Sequence, residues 1–298
     1  MKLEAVAATV KSETLTPHWE FYWQLTKPRL LSMVLISAAV GFCVFASPVN
    51  AFGIFAFLMT GTTCVGAGAM ALNEWMEWRS DAKMIRTQNR PIPAGQITPA
   101  QALAFGAAIS ILGFSILSIW VNALSALFAF ATWFIYLGCY TPLKKVTSLA
   151  TFPGAVSGAL PPLIGWAAAQ GTNPVQAAIL FAILFFWQVP HFLAIDWMYR
   201  DDYKRVDFKT LSVIDSNGQM VARQMIVNMS ALFCVSLLPT IFGMAKELYF
   251  VGSFLLGITF SWVIMKAVRD LNQRARFVLR GSVVYLTLLL MLMVIDKW

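Results

Sequence analysis

Asn73, Glu77 and Asp81 stand four residues apart in the stretch NEWMEWRSDAKMIRTQNRP, Asn73 to Pro91. On an α-helix four residues advance about 400°, so the three side chains share one face and drift only about 40° per step. An amide and two carboxylates on one stripe form an oxygen-rich surface. Hard cations such as Mg²⁺ take oxygen ligands and often bridge one or two carboxylates to substrate phosphates. Lys83, Arg86 and Arg90 follow the stripe, and such cations suit a polyanionic ligand. The same residues would also serve as the solvated cap of a membrane helix carrying i,i+4 charge pairs, so the stripe alone leaves both readings open.

A second acidic patch lies in IDWMYRDDYKRVDFKTL, Ile195 to Leu211, with Asp196, Asp201, Asp202 and Asp207. These are not in helical register, and the adjacent Asp201 and Asp202 cannot both face one cation from a regular helix. The order of preference as a ligand is Asp202, then Asp201, then Asp196, with Asp207 a solvated loop charge. Two acidic patches facing one cavity, with bases between them, have a direct chemical reading. A diphosphate is a good leaving group only when its charge is neutralised, and carboxylate-held Mg²⁺ with Lys and Arg does that. An allylic diphosphate would then ionise to a carbocation that an electron-rich partner captures.

The elements that must position these residues are membrane helices. The chain is 59% hydrophobic and 12% charged with mean hydropathy +0.69. A soluble domain is nearer 45–50% apolar and about 25% charged. Apolar stretches of span length recur at about 29–47, 52–73, 100–121, 124–142, 150–169, 175–196, 224–244, 247–267 and 278–297, which predicts an all-α polytopic protein of nine transmembrane helices. The organisation expected is an N-terminal segment over 1–28 and a single transmembrane domain over 29–298. Two long charged loops, at about 73–100 and 196–223, follow the second and sixth spans and suggest two similar halves.

Apart from Lys246 and Lys297, every Lys and Arg falls on the N-terminal segment, the charged connections or the helix ends bordering them. The positive-inside rule therefore places the N-terminus and the charged loops in the cytoplasm. The net charge of +8 is read as bases retained on that face rather than as a nucleic-acid surface. Met1 to about Gln24 lacks the pattern of a signal peptide, and Glu4, Glu13 and Glu20 argue against a transit peptide, which points to a bacterial inner membrane. Trp19, Tyr22 and Trp23 fit an interfacial belt. The four cysteines are scattered through apolar segments without metal-ligand spacing, so no zinc site or disulfide framework is expected.

The stretch NEWMEWRSDAKMIRTQNRPIPAG, Asn73 to Gly95, resembles the first Asp-rich motif of the UbiA-type membrane prenyltransferases, and most specifically their protoheme-farnesylating branch. YTPLKKVT at 140–147, GAVSGALPPLIGWAA at 154–168, FWQVPHFLA at 186–194 and MYRDDYKR at 198–205 extend the likeness. The resemblance implies transfer of the farnesyl group of farnesyl diphosphate to a vinyl group of protoheme IX, with addition of water, in a lipid bilayer. It implies that Asn73, Glu77 and Asp81 bind Mg²⁺ and diphosphate, helped by Lys83, Arg86 and Arg90. It implies that Asp202 and Asp201 support a second Mg²⁺, with Lys204 and Arg205 beside them, and that Lys144 and Lys145 reach the diphosphate. Tyr140, read from its place at a helix end, would either stabilise a cation or orient diphosphate, or simply belong to an aromatic belt. A terminal oxidase or heme A synthase is the partner such an enzyme would serve.

His191, one of only two histidines, lies in an apolar span beside Trp187, Gln188 and Pro190. It is either hydrogen-bonded structure or a ligand to the heme iron. Gly154, Gly158 and Gly165 either allow close helix packing or leave room for a flat macrocycle. The chain departs from the family pattern in three ways: Glu77 stands where many members have Asp, Asp207 and Lys209 where Gly and Pro are expected, and Asp196 at a usually apolar place. Competing readings are a prenyltransferase for a quinone or chlorophyll precursor, a secondary transporter and a heme-binding assembly factor. Acids clustered at helix ends rather than at the bilayer midplane disfavour the transporter.

Overall fold

The computed structural model describes residues 18–46 and 51–297. The start of the N-terminal segment and the connection at 47–50 lie outside the described residues. Helices and their turns account for the rest, with one isolated β-bridge between Ala245 and Lys297. A short helix α1 (His18–Leu25) precedes α2 (Pro28–Phe45), α3 (Ala51–Asp81) and α4 (Pro99–Ile116). α5 (Ala123–Phe134) runs on through a π-helical turn at Ile135–Tyr140 into α6 (Thr141–Leu143). α7 (Thr151–Ala159) and α8 (Pro161–Ala168) precede the long α9 (Pro174–Met198). Two short helices, α10 (Arg200–Arg205) and α11 (Leu211–Ile214), lead to α12 (Gln219–Ile241), α13 (Glu247–Ala267) and α14 (Leu271–Ile295).

Among the described residues eight helices are long and apolar enough to cross a membrane, and the chain is a multi-pass membrane protein. The fifth expected span, 150–169, is present as two half-helices. Pro161 and Pro162 open α8 and cannot continue the hydrogen-bond ladder of α7. Helix ends also differ from the hydropathy boundaries. α3 continues past residue 73 to Asp81, carrying the polar stripe beyond the apolar run. α14 starts at Leu271, where Asp270 caps it by accepting the N–H of Gln273, so a cap and not hydropathy sets the start.

Lipid-facing and buried sides segregate as a bilayer demands. Ile111, Ile119, Leu255, Trp262, Val284 and Met291 stay exposed, while Leu180, Ile183, Met225, Leu232 and Leu289 are fully enclosed. Small residues let backbones approach. A Cβ at Gly41 would collide with the Pro162 carbonyl, and one at Gly165 with the Ala38 carbonyl, so α2 and α8 meet backbone to backbone. Trp19 and Trp23 remain exposed on α1, as interfacial anchors would.

Cross-contacts sort the connections into two ends. At one end Lys27 meets Asn73, Asp202 meets the backbone of Ile85 and Arg86, and the Lys209 N–H donates to the Lys144 carbonyl at 2.7 Å. At the other end Lys297 donates to the Cys43 carbonyl, and Gln176 donates to the Phe242 carbonyl. The charged connections therefore share the first end.

Candidate active site

α3 brings its stripe to that end with the side chains turned inward. Asn73, Glu77 and Asp81 are 2%, 6% and 1% exposed, so they are no solvated cap. Buried polar groups need partners, and each has one. Asn73 donates from Nδ2 to Glu77 Oε2 at 3.0 Å and to Thr141 Oγ1 at 3.1 Å, and accepts from Lys27 Nζ at 3.0 Å. Lys144 Nζ donates to Glu77 Oε1 at 3.1 Å and Oε2 at 3.3 Å. Arg90 donates from Nη1 to Asp81 Oδ2 at 2.7 Å. The i,i+4 register has thus gathered an amide, two carboxylates and three cations contributed by the α1–α2 junction, the loop after α3 and the turn after α6.

These groups sit at the mouth of a cavity of about 800 Å³ between the helices. Asn73, Glu77, Asp81, Arg86, Arg90, Tyr140 and Lys144 line it, and so does His191 deeper on α9. Lys83 and Lys145 do not. Both are exposed on the outer side of their turns, because adjacent positions on a turn cannot both face inward. Lys204, Arg205 and Asp201 are likewise outside the cavity; Asp201 is 82% exposed and pairs only loosely with Lys204, at 3.8 Å.

Asp202 departs most from its expected role. Its carboxylate accepts the backbone N–H groups of Ile85 at 3.1 Å and Arg86 at 3.2 Å, and it does not line the cavity. The carboxylate of the second acidic patch that faces the cavity is Asp196, on the last turns of α9, with Tyr203 beside it. Lys144 and Arg86 are the cations it faces. Arg86 in turn lies 4.8 Å over the Tyr199 ring, a cation–π contact that aims it across the mouth.

Two further residues belong to the site and were not picked out by spacing. Lys27 lines the cavity and contacts both Asn73 and Glu74. Burial pulls its ammonium down to about 8, with the charge of Arg90 adding to the effect. A lysine held at the very start of an apolar span, before Pro28, was the available signal. Glu74 stands behind the stripe, 3.6 Å from both Lys27 Nζ and Arg90 Nε. Burial is the largest influence on the Lys144 ammonium and lowers it, but the charge and hydrogen bond of Glu77 together with Tyr136 and Tyr203 outweigh it and the net shift is upward. Arg90 is raised in the same way by Asp81. Burial raises the Tyr203 phenol, which therefore stays neutral.

The donor set fits a hard cation. Among the described residues no three of His, Cys, Asp or Glu are gathered to hold a metal alone. Asn73, Glu77 and Asp81 instead offer oxygens at a charged mouth, which suits an ion that takes one or two carboxylates and completes its shell from substrate phosphate and water.

Below the mouth the wall turns apolar. Tyr136 and Tyr140 stack at 5.7 Å with their planes 26° apart, and Lys144 lies 4.3 Å over the Tyr140 ring. Met33, Val34, Val65, Ala69 and Met70 continue the wall downward. Gly154 and Gly158 also line it, but a Cβ on the first would press on the Tyr140 ring and one on the second would strike the Gln188 amide. These glycines serve close packing. Gln188 is buried and its Oε1 has no hydrogen-bond partner among the described residues. Pro190 lies inside the continuous α9, and its neighbours Trp187, Gln188 and His191 face the cavity.

A model of the UbiA prenyltransferase family matches residues 34–291. The chain is 42% identical over 291 residues to the protoheme IX farnesyltransferase of Solibacter usitatus, covering 93% of this chain and 98% of that one. It is 41% identical over 280 residues to the protoheme IX farnesyltransferase of Opitutus terrae, covering 93% and 94%. Among solved structures it is similar to one from a study of digeranylgeranylglyceryl phosphate synthase in membranes, with TM-score 0.78, 17% identity and coverage of 94% and 98%. It is also similar to a UbiA homolog from Archaeoglobus fulgidus bound to GPP and Mg²⁺, with TM-score 0.69, 13% identity and coverage of 90% and 99%. At these identities the structures speak to the fold.

Proposed function

The chain belongs to the UbiA prenyltransferase family, and from that premise we propose that it transfers the farnesyl group of farnesyl diphosphate to a vinyl group of protoheme IX, giving heme O and diphosphate. The observation that carries the reading is the polarity of a single cavity. Buried carboxylates and cations crowd its mouth, aromatic faces follow, and an apolar wall with one histidine lies below. A diphosphate fits the mouth and a fifteen-carbon tail fits the wall.

Mg²⁺, held by Asn73, Glu77 and Asp81, would neutralise charge on the diphosphate and make it a better leaving group. Lys144, Arg90 and Lys27 are already fixed at the mouth by Glu77, Asp81, Asn73 and Glu74, so little reorganisation is needed when phosphate oxygens arrive. Arg86 completes the ring of positive charge. As the C1–O bond of the substrate breaks, the faces of Tyr136 and Tyr140 lie where an allylic cation would form, and their quadrupoles favour positive charge. The terminal vinyl carbon of protoheme then bonds to C1, and water adds to the adjacent carbon with loss of a proton. His191 is the residue of the lower cavity suited to holding the iron.

We place the N-terminus and the site mouth on the cytoplasmic side of a bacterial inner membrane, in keeping with the distribution of Lys and Arg. A terminal oxidase or heme A synthase would receive the product. The test is incubation of the purified protein with protoheme and farnesyl diphosphate, with and without Mg²⁺, followed by mass analysis of the pigment. A Mg²⁺-dependent farnesylated, hydrated pigment is expected, and unchanged protoheme would refute the reading.

A further inference from the structure

We infer that Ser282 is a positioning residue that fixes the tautomer of His191, so that Nε2 is the bare nitrogen presented to the protoheme iron; this rests on the function proposed above. His191 Nδ1 on α9 lies 2.8 Å from Ser282 Oγ on α14. Ser282 Oγ also lies 2.8 Å from the Leu279 carbonyl oxygen, one turn earlier in its own helix. A serine hydroxyl has one proton, and a carbonyl oxygen can only accept. Both contacts are hydrogen bonds only if Ser282 donates to Leu279 and accepts from His191. Nδ1 must then carry the imidazole proton. The opposite tautomer would spend the hydroxyl proton on Nδ1 and leave Oγ and the Leu279 oxygen facing each other lone pair to lone pair.

A neutral imidazole protonated on Nδ1 has its lone pair on Nε2, the form in which histidine binds metals. Nε2 makes no hydrogen bond among the described residues, and His191 lines the cavity. The ring is also held flat. Trp187 stacks on it at 4.7 Å with planes 25° apart, and the Trp187 indole N–H donates to the Ser282 carbonyl at 2.7 Å. One residue of α14 thus accepts from two aromatic side chains of α9. Ser282 itself is fully buried and does not line the cavity, so it acts through His191.

Partners of this kind orient metal-binding histidines, and losing one costs about 10- to 100-fold in metal affinity. The test is titration of the purified full-length protein with ferric protoheme, read by the Soret band and the iron spin state. Wild type is expected to give the signature of imidazole-ligated iron, which His191→Ala abolishes. Ser282→Ala is expected to weaken protoheme binding about 10- to 100-fold and to shift the iron spectrum. Ser282→Thr, which keeps the hydroxyl, should restore both. Binding of farnesyl diphosphate, at the other end of the cavity, should be unchanged in Ser282→Ala, which shows that the variant is folded. Wild-type affinity and spectrum in Ser282→Ala would overturn the inference, as would an unaltered iron signature in His191→Ala. A wild type that farnesylates protoheme without an imidazole signature would overturn it while leaving the function standing. One that neither binds nor converts protoheme would overturn both.

Discussion

The Asp202 carboxylate accepts the backbone N–H of Arg86 at 3.2 Å and of its neighbour Ile85 at 3.1 Å, tying the loop after α3 to the helix after α9. The tie closes the two charged connections over the cavity mouth and sets the backbone from which Arg86 reaches inward. Asp202→Ala should raise KM for farnesyl diphosphate about tenfold, since a hydrogen bond to a charged group is worth about 1.5–3 kcal/mol and both of these are weakened by solvent. The Mg²⁺ concentration giving half-maximal activity should not move. A shifted Mg²⁺ midpoint would place this carboxylate on the metal.

Glu77 and Lys144 form a mostly buried pair, so removing one partner strands the other. Lys144→Met should lower stability by about 3 kcal/mol, the lower end for a broken buried pair. Glu77→Gln should reduce kcat at least about 100-fold, as expected when a preorganised electrostatic contact is lost. Thermal melts and steady-state rates check the two separately.

The same pair makes a pH prediction. The Lys144 ammonium is raised above its ordinary 10.5 in the folded protein. Its stabilising contribution is therefore fully present below that value and is lost only as pH climbs through the folded value. The difference in melting temperature between wild type and Lys144→Met should stay constant from about pH 7 to 9 and shrink only in stronger alkali. A difference that vanished near neutrality would contradict the pairing.

Gly41 and Gly165 bring α2 and α8 into backbone contact. Neither carbonyl in the way can rotate aside as a side chain could. Gly165→Ala should cost about 1–3 kcal/mol, read as a lowered melting temperature in detergent. Gly95, where a Cβ would meet nothing but φ is +73°, is a contrasting control whose cost is conformational.

The helical architecture was legible because hydropathy and charge asymmetry act over whole segments. The stripe of Asn73, Glu77 and Asp81 was legible because i,i+4 spacing is a local property of one helix. Asp202 and Asp196 were not separable in that way. Which of them faces the cavity depends on where α9 ends and α10 turns, and a break at Tyr199 carries Asp202 onto the Arg86 backbone. Lys27 and Glu74 were missed because their importance comes from residues distant in the chain. The broken fifth span was visible in its prolines, yet hydropathy alone read it as continuous.

Two departures from the family pattern acquire physical meaning. Asp207 has φ +56°, a left-handed conformation in which glycine costs least and Asp is tolerated. Asp207→Gly should be neutral or slightly stabilising, whereas Asp207→Val should lose about 1–2 kcal/mol. Lys209 uses its backbone N–H to hold the Lys144 carbonyl at 2.7 Å, a bond that proline cannot make. Lys209→Pro should loosen Lys144 and raise KM for the diphosphate.

The central claim is that the α3 stripe and its cations activate a prenyl diphosphate for attack by protoheme in one shared cavity. The most direct measurement follows diphosphate release and pigment farnesylation together in wild type and Asp81→Asn, with Mg²⁺ and with chelator. Equal amounts of both products are expected in wild type, with joint loss in the variant and on chelation. Pigment farnesylation that persists in Asp81→Asn or without divalent metal would contradict it.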